Sequence, residues 1–119
     1  MSTHEPSPLD PAVGWVRATL ELAVAAVLTE GDLHGYALAQ RLSGLGFGTV
    51  KGGALYPVLG RMEAEGSVCS LWQAGEGGPG RKVYSITPSG RTWLAVERAR
   101  WHIFAAAVDR LLDTPGERP

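Results

Sequence analysis

The sequence predicts a mainly helical α/β fold with the element order α-α-α-β-β-α, that of a winged helix-turn-helix. Apolar residues recur at helical spacing in three segments before residue 66, and the period then changes to the alternation typical of strands. A further helical pattern fills the last quarter of the chain. With 119 residues, the chain has the size of one domain with a single core.

The first helix is predicted over about residues 12–28, after a Pro- and Ser-rich flexible segment, residues 1–11. Its apolar residues lie almost all round the helix, so we expect burial on several sides, between its own domain and a partner subunit. Arg17 and Glu21 interrupt the apolar run, which argues against a membrane-spanning helix. The first residues also lack the basic start and apolar run of a signal peptide.

The second helix is predicted from Leu33, with one apolar face formed by Ala37, Leu38, Leu42 and Leu45. Glycines suited to a helix C-terminus follow it, and His34 is expected to help the turn before it. The connection GLGFGTVKG is longer than in the tightest helix-turn-helix. GLGFG could instead be a phosphate-binding loop, but no strand precedes it and the Gly-Lys-Ser/Thr ending is missing.

The third helix is predicted to start near Gly53, with Pro57 in its first turn and a core stripe of Leu55, Val58, Leu59 and Met62. Its other side carries small residues, Tyr56 and, at the margin, Arg61. Such a surface can lie close against a large partner, such as the wall of a DNA major groove. Free N–H groups beside Lys51 would favour a phosphate. A plain surface helix would show the same stripe.

A β-hairpin is predicted after Gly66, because SVCSLWQ and RKVYSIT have strand character on either side of AGEGGPG. We expect AGEGGPG to form the loop, with Arg81 and Lys82 at the root of the hairpin. Cations there are typical of a wing that contacts DNA backbone or minor groove. An edge hairpin with solubilising charges is the alternative.

Charge placement favours a nucleic-acid partner, although the net charge is only −1. Residues 33–62 and 77–96 contain no Asp or Glu, yet they carry Arg41, Lys51, Arg61, Arg81, Lys82 and Arg91. A solvated surface does not require this segregation. We therefore expect residues 12–87 to bind double-stranded DNA through Tyr36, Lys51, Gly53, Tyr56, Arg61, Arg81 and Lys82. Arg61 is expected to be divided between a phosphate and a structural pair with a nearby acid.

A long helix is predicted over residues 88–113, with Thr87 as its N-cap and Pro88 at its first helical position. Apolar residues then repeat at spacings of three and four, as in a heptad seam. About 25 helical residues span about 37 Å, more than one small domain needs, so we expect a homodimer. Its expected interface comprises Leu20, Leu94, Trp101, Phe104, Val108 and Leu111. Residues 114–119 are expected to form a flexible tail.

The sequence does not predict an enzyme, a metal site or a cofactor. His4, His34 and His102 share no ligand spacing, and no Gly-x-Ser-x-Gly motif is present. The single cysteine, Cys69, fits a reducing cytoplasm. A small buried side chain and a redox-sensing thiol are the two alternatives for it.

The segments RATLELAVAAVLTEGDLHGYALAQRL, GGALYPVLGRMEAEG and GPGRKVYSITPSGR together resemble the PadR family of bacterial winged-helix transcriptional regulators. The resemblance runs from about Arg17 to the end of the last helix, with mild departures at Gly52 and Val83. The short C-terminal part is similar to the compact subgroup with a single dimerisation helix. The resemblance implies a homodimeric repressor in the bacterial cytoplasm, bound at the nucleoid to a palindromic operator. In some members an aromatic small molecule releases the operator.

A planar aromatic molecule is a further expected partner. Trp101 is bulky for a two-helix seam, and with Trp15 and Phe104 it would line an apolar pocket near the dimer axis. Trp101 could instead merely fill the seam. Two other functions stay open, namely a winged-helix module that binds protein and a ligand-binding dimer without DNA function.

Overall fold

A computed structural model describes residues 14–75 and 77–113 of the chain. The helices are α1 (Gly14–Leu28), α2 (Gly35–Leu42), α3 (Gly52–Ala64) and α4 (Pro88–Leu112), and the strands are β1 (Leu33–His34), β2 (Val68–Gly75) and β3 (Gly78–Ile86). The predicted fold class is confirmed. The segments predicted to be flexible, residues 1–11 and 114–119, lie outside the described residues.

The short strand β1 was not predicted. Leu33 and His34 pair antiparallel with Tyr84 and Val83, so the sheet has three strands in the order β1-β3-β2. The second helix consequently begins at Gly35, not at Leu33. Two residues are too few to show the alternation of a strand, and only the tertiary position of β3 gives them a pairing partner.

The core lies where the first three helices pack on the sheet. The predicted stripe of α3 is buried. The helix α1 buries Val16, Leu20, Val24, Ala25, Val27 and Leu28 in the protomer, while its Trp15 and Ala26 are exposed. The largest fully buried side chains come from α1, α2, α3 and β2, and they are Leu28, Leu38, Leu42, Leu55, Leu59, Met62, Val24 and Val68. This core fixes the orientation of α3 relative to the hairpin.

The prediction that Leu45 lies on the buried face of the second helix is wrong, since its side chain is 54% exposed. The α-helix ends at Leu42, and a π-helical turn follows over Ser43–Phe47. Gly46 in that turn has a φ of 94°, which glycine adopts without a steric penalty. The wider turn rotates Leu45 away from the core, while Phe47 packs against it.

The helix α3 begins at Gly52, one residue before the predicted start, with Lys51 as the N-cap. Pro57 is therefore the sixth helical residue and lies beyond the first turn, contrary to the prediction. Because proline has no N–H, position 57 cannot donate a hydrogen bond to the carbonyl of Gly53. Both residues are exposed, so water can reach that carbonyl.

The hairpin of β2 and β3, which we call the wing, has a shorter loop than predicted. Gly75 pairs with Gly78, so five of the seven residues of AGEGGPG belong to the strands. A bulge lies between this pair and the pair of Gln73 and Arg81. Gly77 has a φ of 69°, as a tight turn requires. Arg81 and Lys82 thus lie in the middle of β3 and not at the root of the hairpin.

The long last helix is present as α4, and the predicted cap at its start is confirmed. The Thr87 hydroxyl accepts a hydrogen bond from the Gly90 N–H at 2.9 Å and donates one to the Gly66 carbonyl at 2.6 Å. The first turn of α4 is thereby tied to the segment that joins α3 to β2. Among the described residues, no helix is both long and apolar enough to cross a membrane.

Candidate nucleic-acid interface

A depression with a volume of about 640 Å³ lies between the wing and the starts of α2 and α3. We call it the wing groove, and its lining residues are His34, Gly35, Tyr36, Tyr56, Trp72, Gly80, Arg81, Lys82 and Tyr84. A second depression of about 440 Å³ between α2 and α3 shares Tyr36 and Tyr56 with it and adds Lys51. The fold thus brings together five of the residues predicted to contact DNA, although they come from three separate segments.

The two tyrosines of the wing groove are held by their neighbours. A Cβ atom on Gly35 would lie 2.7 Å from Cε1 and Cζ of Tyr56, so the missing side chain leaves the space that this ring occupies. The Tyr36 ring stacks parallel to the His34 ring at 6.5 Å, and its hydroxyl accepts a hydrogen bond from Gln40 Nε2 at 3.2 Å. Both tyrosines are more than half exposed, which places two hydroxyl donors at the surface.

Three predicted cations lie at or beside the two depressions. Lys51 is exposed at the N-terminus of α3, where the helix dipole and the first N–H groups also favour an anion. Lys82 Nζ is 3.8 Å from Glu63 Oε1, an exposed pair that is weak in water. Arg81 Nη1 is 2.7 Å from His34 Nε2. A phosphate can therefore compete for each of these cations.

His34 has two roles at the edge of the groove. Its Nδ1 accepts from the Ala37 N–H at 3.3 Å, which confirms the expected role at the start of α2, while its Nε2 faces Arg81. The Ala37 N–H and the Arg81 guanidinium are both donors, so each needs a ring nitrogen without a proton, and a neutral imidazole has only one. Only one of the two contacts can therefore be a hydrogen bond at a time. If a phosphate bound Arg81, His34 would be left to cap α2.

Arg61 lies apart from the wing groove. Its Nε and Nη2 donate to Glu21 Oε2 at 2.9 and 2.8 Å, so the guanidinium ties α3 to α1. Gly53 lies on the exposed side of α3, with no atom near enough to restrict a Cβ. Arg41 pairs with Glu30 at 3.1 Å, and Arg91 lies in the first turn of α4. The six segregated cations therefore do not form one surface.

Sequence reasoning missed two aromatic residues of the wing groove, Trp72 and Tyr84. Tyr84 is nearly buried beneath it, and burial raises the pKa of its phenol, with smaller contributions from Glu63 and Tyr56. Trp72 is largely exposed. The alternation of β2 placed Trp72 on the same strand face as Val68, but it could not show that this face also borders α3.

A separate apolar groove of about 380 Å³ lies between α1 and α4. Trp15 and Trp101 line it, together with Val16, Thr19, Leu22, Ala23, Ala26 and Phe47. The Phe104 ring is 6.3 Å from that of Trp101 at 49°. Two of the three residues predicted to line a ligand pocket, Trp15 and Trp101, therefore line this groove, whereas Phe104 contacts Trp101 and is not part of the lining. Leu20, predicted at the dimer interface, is only 3% exposed and packs inside its own protomer.

Comparisons with known proteins agree on one family. The model of the transcriptional regulator PadR-like family matches residues 24–96. The transcriptional regulator Rv3488 of Mycobacterium tuberculosis is 38% identical over 82 residues, which cover 69% of this chain and 75% of that protein. Among solved structures, a PadR family transcriptional regulator from Eggerthella lenta has a TM-score of 0.77 and 34% identity, covering 84% of this chain and 87% of its own. A PadR-like regulator from Bacillus cereus has a TM-score of 0.74 and 30% identity, covering 85% and 98%.

Proposed function

The chain belongs to the PadR-like family of transcriptional regulators, and we propose that it acts as a homodimeric repressor bound to a palindromic operator. The observation that carries this proposal is the wing groove, whose surface combines tyrosines from α2 and α3 with cations from the wing. Family membership already makes the chain a DNA-binding regulator and not an enzyme. The operator symmetry, the sign of regulation and the contacts are proposed here.

In the proposed complex, α3 enters a major groove with its exposed side toward the bases. Gly53 and Gly60 allow the backbone to approach closely, and Tyr56 reaches the DNA at the same level. The DNA strand that borders this major groove then passes through the wing groove of the protein. There Tyr36 donates to a phosphate, while Lys51, Arg81 and Lys82 neutralise others.

Of the two roles expected for Arg61, a phosphate contact and a structural pair with a nearby acid, this proposal takes the structural pair. Because two of its nitrogens already donate to Glu21, the residue holds α3 at a fixed angle to α1. A phosphate contact would require that pair to break. We therefore assign Arg61 to the support of the recognition helix.

The proposed dimer buries the apolar side chains that α1 and α4 leave exposed in one protomer. Trp15 is 63% and Trp101 is 38% exposed, and further exposed residues of α4 include Ile103, Phe104, Leu111 and Leu112. So many large apolar side chains on one long helix are typical of an interface. A two-fold dimer presents its two α3 helices symmetrically, which is why the operator should be palindromic.

The groove between α1 and α4 is proposed to take a planar aromatic ligand near the dimer axis. Its walls are apolar, and two indole rings border it. Because α4 would set the distance between the two α3 helices, a ligand lodged there would weaken operator binding, and the operator would weaken ligand binding equally. If Trp101 only fills the seam, Trp101→Ala will not change the affinity for any planar dye.

A footprint on the promoter of the protein's own gene, read together with light scattering, tests the proposal. We expect protection of two symmetric half-sites by a dimer at moderate salt, with repression in a reporter assay. A protein-binding module would give no salt-sensitive protection, and a ligand-binding dimer would bind dyes without protecting DNA. In the bacterial cell, we propose that the regulator is cytoplasmic and bound to the nucleoid at its operator.

A further inference from the structure

Trp72 is a large apolar side chain that the fold leaves in solvent. It lies in the middle of β2 and is 71% exposed, although it borders the wing groove. Most of its ring is therefore not buried in the protomer's core. An exposed tryptophan inside a concave surface that also carries cations is typical of a binding contact.

The position of the Trp72 ring is set by the opposite strand. Trp72 pairs with Lys82, and the two side chains lie on the same face of the sheet. A Cβ atom on Gly80 would lie 3.5 Å from Cε3 of Trp72, so the ring packs over the bare backbone of that glycine. The ring thus lies over Gly80, on the same face of the sheet as Lys82, whose Nζ is 3.8 Å from Glu63 Oε1.

The partner that fits this arrangement has alternating negative and apolar groups. Lys82 and Arg81 border the groove next to the indole, so a purely apolar partner would leave two cations partly desolvated. The backbone of DNA alternates phosphates with deoxyribose rings, whose carbon faces are apolar. A groove that offers a cation and a flat ring side by side complements one such repeat.

We propose that Trp72 packs flat against a deoxyribose of the DNA strand that passes between α3 and the wing, while Lys82 binds the adjacent phosphate. This inference rests on the DNA binding proposed above and adds a contact that carries no charge. Such a contact is independent of base sequence. It therefore raises the affinity for every duplex without adding to the number of counterions released.

The test compares wild type, Trp72→Ala, Lys82→Ala and the matched control Leu71→Ala. Leu71 is the neighbour of Trp72 on the same strand, is similarly exposed, and lies on the opposite face of the sheet. Binding is measured by fluorescence anisotropy from low to moderate salt. The probes are a duplex that the protein selects from a random pool and a duplex of unrelated sequence.

We expect Trp72→Ala to weaken both duplexes about five- to tenfold with an unchanged dependence on salt, a loss typical of one buried apolar contact. Lys82→Ala should flatten the salt dependence, and Leu71→Ala should change neither quantity. The change in tryptophan emission on DNA addition should also be smaller in Trp72→Phe than in wild type, since the ring that meets DNA is missing.

If wild type binds DNA in a salt-dependent way and Trp72→Ala binds equally well, the inference is overturned while the proposed function stands. If Trp72→Ala flattens the salt dependence, the ring acts by positioning Lys82, and packing on sugar is wrong. If wild type binds neither duplex, the proposed function itself fails. Denaturant unfolding of each variant checks that the fold is unchanged.

Discussion

The salt dependence of DNA binding should report the number of cations that the fold places on one surface. Lys51, Arg81 and Lys82 border the two depressions, and of these only Lys82 faces an acid among the described residues, Glu63 at 3.8 Å. Arg41 and Arg61 lie outside both depressions and pair with acids at 3.1 and 2.8 Å. A dimer therefore offers six cations to phosphates. At about −0.9 per phosphate, the log–log slope of affinity against salt should be about −5. The affinity should then fall by about 10³ between 50 and 200 mM salt.

Lys51→Ala removes one cation from each protomer. The slope should change to about −3.6, because a symmetric dimer loses two phosphate contacts. Arg41→Ala is the matched control, since it removes the same charge from the same acid-free segment but from a residue that is paired with Glu30. Its slope should stay at the wild-type value.

Anisotropy titrations at four or more salt concentrations, with a selected duplex, give both slopes. The reasoning is refuted if Lys51→Ala leaves the slope unchanged, or if Arg41→Ala flattens it as much as Lys51→Ala does. Either result would mean that the cations which contact phosphate cannot be identified from their positions at the two depressions of the free protein. An effect of Arg61→Ala on affinity without an effect on the slope would support its assignment to the α1–α3 contact.

Three further outcomes are expected. Gly90→Ala should lower the free energy of unfolding by about 3 kcal/mol or prevent folding, because a Cβ atom there would overlap the Ser67 carbonyl and lie 2.9 Å from Ile86 Cγ1. Denaturant titration measures this loss, and Gly53→Ala, at an exposed glycine, is the control. Because the raised pKa of Tyr84 keeps its phenol protonated in the folded state, stability should be fully present below the ordinary tyrosine pKa of 10.0 and fall as pH rises above it. As the pH rises above 10.0, Tyr84→Phe should lose less stability than wild type, and parallel losses would exclude this role. Truncation after Arg98 removes most of the exposed apolar face of α4 and should give monomers or aggregates by light scattering, whereas a clean dimer would place the interface elsewhere.

Local patterns predicted the helices that carry a clear apolar stripe. The stripe of α3 needs only the 3.6-residue period and a buried side to be recognised, and the start of α4 follows from the chemistry of Thr87 and Pro88. The rule that proline belongs in the first turn gave a start for α3 that was one residue too late. The helix tolerates Pro57 beyond the first turn, because water can reach the carbonyl of Gly53. Sequence patterns alone did not show that tolerance.

By itself, the sequence determined the order of the four α-helices and the hairpin, the buried face of α3 and the segregation of cations from acids, because each depends on neighbours along the chain. Only the tertiary structure decided which cations share a surface. The Arg61–Glu21 pair joins residues 40 positions apart, β1 exists only because β3 lies beside it, and Trp72 borders α3 only after the wing packs. Long-range contacts of this kind depend on how the whole core closes, and no local period in the sequence encodes them.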